Sequence, residues 1–175
     1  MATLRIPDKN VTLGDPSAVQ QFLDRRGIVH ERWSADRNLP SGASNEQVLA
    51  AYDYLLNPFM KKCGYQTMDV IRVDGHTPNL EGIREKFIRE HTHSEDEVRV
   101  FVEGQGFFWF HKEAQDEEVF ALLCEQGDLI SVPANTKHWF DLGKSPKVRA
   151  IRLFTDQVGW VPHYTNSGID QRYRW

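Results

Sequence analysis

The hydrophobic and polar positions follow two different periods along the chain, with the change near Met68. Before it the grammar is helical. In GDPSAVQQFLDRRG (14–27), Asp15 is placed to cap a helix, Pro16 suits its first position and Gly27 follows a basic last turn. Ser44 and Gln47 form a capping box for a second helix, whose apolar positions Val48, Leu49, Tyr52, Leu55, Leu56 and Phe59 make one stripe. That stripe reads as core packing. Pro58 is expected to kink the helix or stop it near Leu56, because proline lacks the N–H that the next turn needs. Between the helices, GIVHERWSADRNLPSG (27–42) reads as a short strand and a loop.

After Met68 the apolar runs become short and rich in Val, Ile and Phe: MDVIRV, EKFIREHTH, EVRVFVEG, GFFWFHK, EEVFALLCE, DLISVP, KHWFDLG and KVRAIRLF. Gly104 and Gly106 in EGQGF suggest the loop of a tight hairpin. Short strands with no helical segment between them predict a mainly β protein, an antiparallel barrel or jelly roll with two N-terminal helices. The expected organisation is one domain: a helical part at 1–67, a barrel at about 68–155 and a C-terminal arm at 156–175. The arm, TDQVGWVPHYTNSGIDQRYRW, is aromatic but aperiodic, as suits a lid laid on the barrel.

Composition narrows the function classes. The chain has 175 residues and a net charge of −4, so no basic footprint points to nucleic acid. No apolar run approaches the ~20 residues that span a bilayer. MATLRIPDKNVTLGD has no charged region leading into an apolar stretch, so no signal peptide is read and a cytoplasmic location is expected. Cys63 and Cys124 stand apart, without a CxxC pattern, and are expected to be reduced.

One stretch departs from strand economy. EHTHSEDEVRVFVEGQGFFWF (90–110) opens with two histidines and several acids where apolar side chains would be usual. Residues two apart on a strand share a face, so His91 pairs with His93, and Glu97 with Arg99 and Phe101. If the chain turns back across Ser94–Asp96, two imidazoles and one carboxylate meet. This is the donor set of non-haem iron sites. GDLISVPANTKHWF adds His138 after a Gly and Pro turn. A solvated edge would also suit two histidines among acids. Four such groups buried without a metal would be costly, and the cluster therefore reads as a metal site.

His91, His93, Glu97, Gly104, Gly127, Pro133 and His138 resemble the two motifs of the cupin superfamily. More closely, EHTHSEDEVRVFVEGQGFF, DLISVPANTKHWFDLG and AIRLF resemble the acireductone dioxygenase family, a likeness running from about Trp33 to Trp160. Gly82, Asn135 and Leu142 depart from the general cupin pattern, while the metal positions are intact. The resemblance implies that His91, His93, Glu97 and His138 hold one Fe(II) or Ni(II) per chain, leaving two positions for a bidentate substrate. It implies a small-molecule acireductone and O2 as reactants, a role in methionine salvage, and Trp160 in the loop at the pocket mouth. With iron the implied products are formate and a 2-oxo acid; with nickel they are formate, carbon monoxide and a carboxylic acid.

Charge and parity suggest further residues. Arg99 shares the face of Glu97 and is the first candidate for holding an anionic substrate, with Arg152 the second. Phe87, on the face of His91 if the strand is regular, and Phe140, on that of His138, are candidates for an aromatic wall; the same parity turns Arg89 inward, so that either it joins the pocket or the strand is bulged there. His30, His76, His111 and His163 have no motif partner and read as surface or supporting histidines. No membrane or nucleic-acid partner is expected, and a monomer is. Two other readings stay open: a cupin dioxygenase for a diketone or diol, and a non-enzymatic cupin that binds a small molecule.

Overall fold

One long strand organises the sheet. β6 (Glu97–Lys112) runs through sixteen residues without a hairpin. This computed structural model describes residues 2–35, 37, 39–40, 42–113, 118–156 and 161–174. The first half of β6 pairs with β8 (Asp128–Val132) and β10 (Lys147–Phe154), and the second half with β7 (Glu118–Glu125) and β9 (His138–Asp141). β6 thereby joins two sets of strands into one sheet.

The change of partner falls at the two glycines, which serve a bulge and not a hairpin. The β6–β10 register shifts between Arg149 and Ala150, so Val102 is the extra residue. Gly104 has φ +72°, and a Cβ there would lie 1.8 Å from the Lys147 carbonyl oxygen. A Cβ on Gly106 would lie 2.1 Å from the Phe140 ring. The extra residue also inverts parity: Phe101 faces the inner core before it, Phe108 and Phe110 after it.

The remaining strands extend this sheet, and every pairing among the described residues is antiparallel. β4 (Thr67–Asp74) pairs with β10, and β3 (Val29–Arg32) with β8. β1 (Thr3–Ile6) adds to β7, followed by β2 (Val11–Leu13). β5 (His91–Thr92) lies between β9 and β11 (His163–Tyr164). The mainly antiparallel β fold is as expected, but the described ladder stays open, ending at β2, β3, β4 and β11, instead of closing into a barrel. β1 and β2 fall in the stretch read as helical, while β3 is the short strand expected within 27–42. They are short, and what holds β1 and β3 is pairing to β7 and β8, which local periodicity does not contain.

Three α-helices among the described residues flank the sheet. α1 (Pro16–Asp24) starts at Asp15, whose side chain accepts from the Ala18 N–H. α2 (Asn45–Cys63) has the capping box at Ser44 and Gln47. It buries Val48, Tyr52, Leu56 and Met60 against Val98, Val100 and Val102, the outward side chains of β6. Pro58 lies inside it: the proline is exposed, and the helix continues to Cys63. α3 (Leu80–Ile88) replaces the strand expected in EKFIREHTH. Cys63 and Cys124 are free, and no helix among the described residues is long and apolar enough to cross a membrane.

Candidate metal centre

The four candidate ligands come from three elements and one turn. His91 is in β5, Glu97 begins β6, His138 begins β9, and His93 sits in the turn between β5 and β6. The expected β5–β6 hairpin is not formed, since β5 pairs with β9 and sets His91 opposite His138. All four residues are buried, and one ligand atom from each lies within 4.8 Å of the others.

The arrangement fits a cation. His91 Nδ1 donates to the Arg89 carbonyl at 2.6 Å and His138 Nδ1 to the Thr136 carbonyl at 2.8 Å. A carbonyl only accepts, so these nitrogens carry the proton and the Nε2 atoms present lone pairs. His138 Nε2 lies 3.1 Å and His93 Nε2 2.9 Å from the same Glu97 Oε2. Burial, reinforced by His138, pushes the His91 pKa down to about 3, so that ring stays neutral. Burial alone would raise the Glu97 carboxyl, but the adjoining Arg99 guanidinium outweighs it and holds it well below the usual carboxylate range. An anionic oxygen and imidazole lone pairs thus converge on one point, with the nitrogen and oxygen donors that suit a divalent transition metal.

Arg99 stands beside this point. It is 4% exposed and its Nε lies 2.6 Å from Glu97 Oε1, an ion pair without hydrogen-bond alignment. Its Nη1 is buried with no hydrogen-bond partner among the described residues. Phe87, Phe108 and Phe140 enclose the guanidinium, with Phe140 nearest at 4.6 Å from Cζ to the ring centre. An arginine boxed by aromatics with an unmet donor is built to receive an anion.

A cavity of about 170 Å³ adjoins these groups, lined by Lys86, Phe87, His91, His93, Glu97, Arg99, Arg152, Pro162 and Tyr164. Phe87 reaches it from α3, so the strand parity that suggested it does not apply. The same helix leaves Arg89 exposed, stacked on Tyr164, and not turned inward. Phe140 backs Phe87 and Arg99 without lining the cavity. Arg152 lines it with its Nε and Nη2 on Asp69, at 2.8 and 2.5 Å. Trp160 lies outside the described residues.

Of the unassigned histidines, His76 and His163 are exposed, His30 contacts Asp128 at 3.1 Å and His111 is buried against Glu90. Lys86, Pro162 and Tyr164 were not anticipated: they come from a helix and an aperiodic tail, and no local pattern marks them. Asn135, where the cupin pattern has glycine, adopts φ +61°, a conformation asparagine tolerates.

The ARD/ARD' family model matches residues 12–162. A relative named acireductone dioxygenase from Picosynechococcus sp. is 51% identical over 174 residues, covering 99% of this chain and 98% of its own. A second of that name, from Klebsiella pneumoniae, is 47% identical over 159 residues, covering 91% of this chain and 87% of its own. A solved structure described as acireductone dioxygenase from Bacillus anthracis, with a cadmium ion in its active centre, matches with a TM-score of 0.86 at 35% identity. That match covers 94% of this chain and 98% of the other.

Proposed function

The chain belongs to the ARD/ARD' family, and from that membership we propose that it cleaves acireductone, 1,2-dihydroxy-3-keto-5-methylthiopentene, with O2. The observation that carries the reading is the convergence of His91, His93, Glu97 and His138 beside the unmet donor of Arg99. Those four residues would hold Fe(II) or Ni(II), one per chain. Bound there, the metal supplies a Lewis-acidic centre for the two oxygens of an enediolate.

The protein's own groups bind and orient. Glu97 brings one negative charge to the centre, so a divalent ion keeps net positive charge for a dianionic substrate. Arg99 offers a buried N–H to that dianion, and its desolvation strengthens the bond. Asp69 offsets the charge of Arg152, which makes Arg99 the principal anion contact and Arg152 a fixed part of the wall. Phe87 keeps water from the substrate's apolar end. The substrate dianion supplies the electrons that reduce O2, so no flavin or external reductant is required.

The products test the reading. Reconstitution of metal-free protein with Fe(II) should give formate and 4-methylthio-2-oxobutanoate. With Ni(II) it should give formate, carbon monoxide and 3-methylthiopropanoate. Oxygen uptake and gas-phase detection of carbon monoxide distinguish the two. Absence of oxygen uptake with either metal would reject the activity, and one product mixture from both would reject the metal-dependent outcome.

A further inference from the structure

A second polar cluster lies behind the metal centre, and the proposed reaction does not use it. Glu90, the residue before His91, is only 1% exposed. Its Oε1 meets His111 Nδ1 at 2.6 Å. Its Oε2 accepts from Ser167 Oγ at 2.6 Å and also from Thr165 Oγ1. Its main-chain carbonyl accepts from the Thr165 N–H at 3.1 Å. Apart from His111, these partners all belong to one segment of the C-terminal arm.

Among the described residues, that segment has few other hydrogen bonds to hold it. Val161, Pro162, His163, Asn166 and Ser167 are exposed, and β11 is only two residues long. Among the described residues its other hydrogen bonds are exposed or long: Arg89 Nη2 to Asn166 Oδ1 at 2.9 Å, Tyr164 Oη to the Lys86 carbonyl at 3.3 Å and His93 Nδ1 to the Val161 carbonyl at 3.4 Å; the Tyr164 ring also lies against Arg89 and His91. Farther on the chain is anchored independently, with Tyr173 buried and its hydroxyl donating to Asp8 Oδ2 at 2.7 Å. The Glu90 carboxylate, itself buried, grips two hydroxyls of the segment.

The segment is also a wall. Pro162 and Tyr164 line the cavity beside the four candidate ligands. Lys86 and Tyr164 line, in addition, a wider groove of about 670 Å³ between α3 and the arm. The segment partitions one from the other.

We propose that Glu90 is a positioning residue, whose carboxylate straps residues 161–167 across the cavity so that Pro162 and Tyr164 complete its wall. Its effect on turnover rests on the dioxygenase reading above; its effect on the segment does not. Exchanging two hydroxyl–carboxylate bonds for water releases the strap, because local opening is governed by the few contacts a segment makes. β5 and the ligands stay in place, held by β9.

The test uses the metal-loaded enzyme and the double variant Thr165→Ala/Ser167→Ala, with Thr165→Ser as the conservative control. In the double variant, amide hydrogen exchange across 163–169 should speed up by about tenfold or more, while the peptide holding Tyr173 is unchanged. Metal content should match wild type, and KM for acireductone should rise by about tenfold with kcat changed much less. Thr165→Ser keeps the hydroxyl and should restore both readouts. Unchanged exchange across 163–169 would overturn the strap. Faster exchange throughout the chain with loss of metal would also overturn it, since the cluster would then be part of the general core. Faster local exchange with unaltered KM and kcat would overturn the positioning role. If wild type does not consume acireductone but local exchange responds as expected, the dioxygenase reading fails and the strap stands.

Discussion

His91 and His138 commit their Nδ1 protons to main-chain carbonyls, and with His93 they aim toward one carboxylate. Removing one imidazole leaves the remaining lone pairs facing an anion with fewer donors to hold a cation. Purified protein should carry about one equivalent of divalent transition metal, and His138→Ala should lose most of it. Elemental analysis decides, and full occupancy in the variant would exclude His138 as a ligand. Arg99 is a different case, because it neighbours Glu97 without being a candidate ligand. Arg99→Met keeps the aromatic box filled and removes the donor. Metal content should persist while substrate affinity weakens by about 2–3 kcal/mol, roughly 30- to 150-fold in KM. Loss of metal with unchanged KM would make Arg99 a support for Glu97 instead.

At the scale of elements, the bulge in β6 decides which side chains reach the site. Without the extra residue at Val102, Phe108 and Phe110 would face outward and the box around Arg99 would lose a side. Gly104 permits the bulge through its positive φ and its approach to Lys147. Gly104→Ala should therefore destabilise the fold by more than about 2 kcal/mol, combining backbone strain with a backbone clash. Urea denaturation measures this; a change under about 0.5 kcal/mol would mean that the strand relaxes without effort. α3 matters at the same scale, since it carries both Phe87 and Lys86 to the cavity.

Across the whole molecule, the N-terminal segments are tied to the sheet by two buried carboxylates. Asp128 meets His30 at 3.1 Å and Arg32 at 2.9 Å, and accepts from the Glu125 N–H at 2.7 Å. Glu118 holds Lys9 at 2.8 Å and Arg26 through Nε, also at 2.8 Å. For Asp128, burial alone would raise the carboxyl, but His30, the Glu125 N–H and Arg32 outweigh it and leave the folded value depressed. The unfolded chain then binds the proton more readily than the folded one. The stabilisation is complete above the unfolded carboxylate range and is lost as pH falls through the folded value. Below about pH 4 urea midpoints should drop through Asp128, steepening a decline that starts near pH 6.5, where the unfolded His91 protonates while the folded ring stays neutral. Asp128→Asn should flatten that drop, and an equally steep decline in the variant would assign it to other groups.

Local chemistry in the sequence determined the starts of α1 and α2, the strands from β7 onward to β10, and the identity of the four converging residues. Caps and turn residues act over three or four positions, and strand parity over two, so these features need no distant partner. The same locality explains what was misread. β1 and β2 are too short to declare themselves, and β1 exists because β7 offers a ladder. Gly104 and Gly106 carry one local signal for a hairpin or a bulge; the separate partners of the two halves of β6 decide between them. Pro58 suggested a kink or a helix end, but burial of Leu56 and Met60 on one face carries α2 past it to Cys63. Phe87 was selected through strand parity and reaches the cavity on a helix. Asp69 pairs with Arg152, and Glu90 with Thr165 and Ser167, across separations of 83 and more than 70 residues. Such pairs follow from sheet register and from the path of the arm. Both depend on how distant segments share one buried surface, a property of the folded chain as a whole.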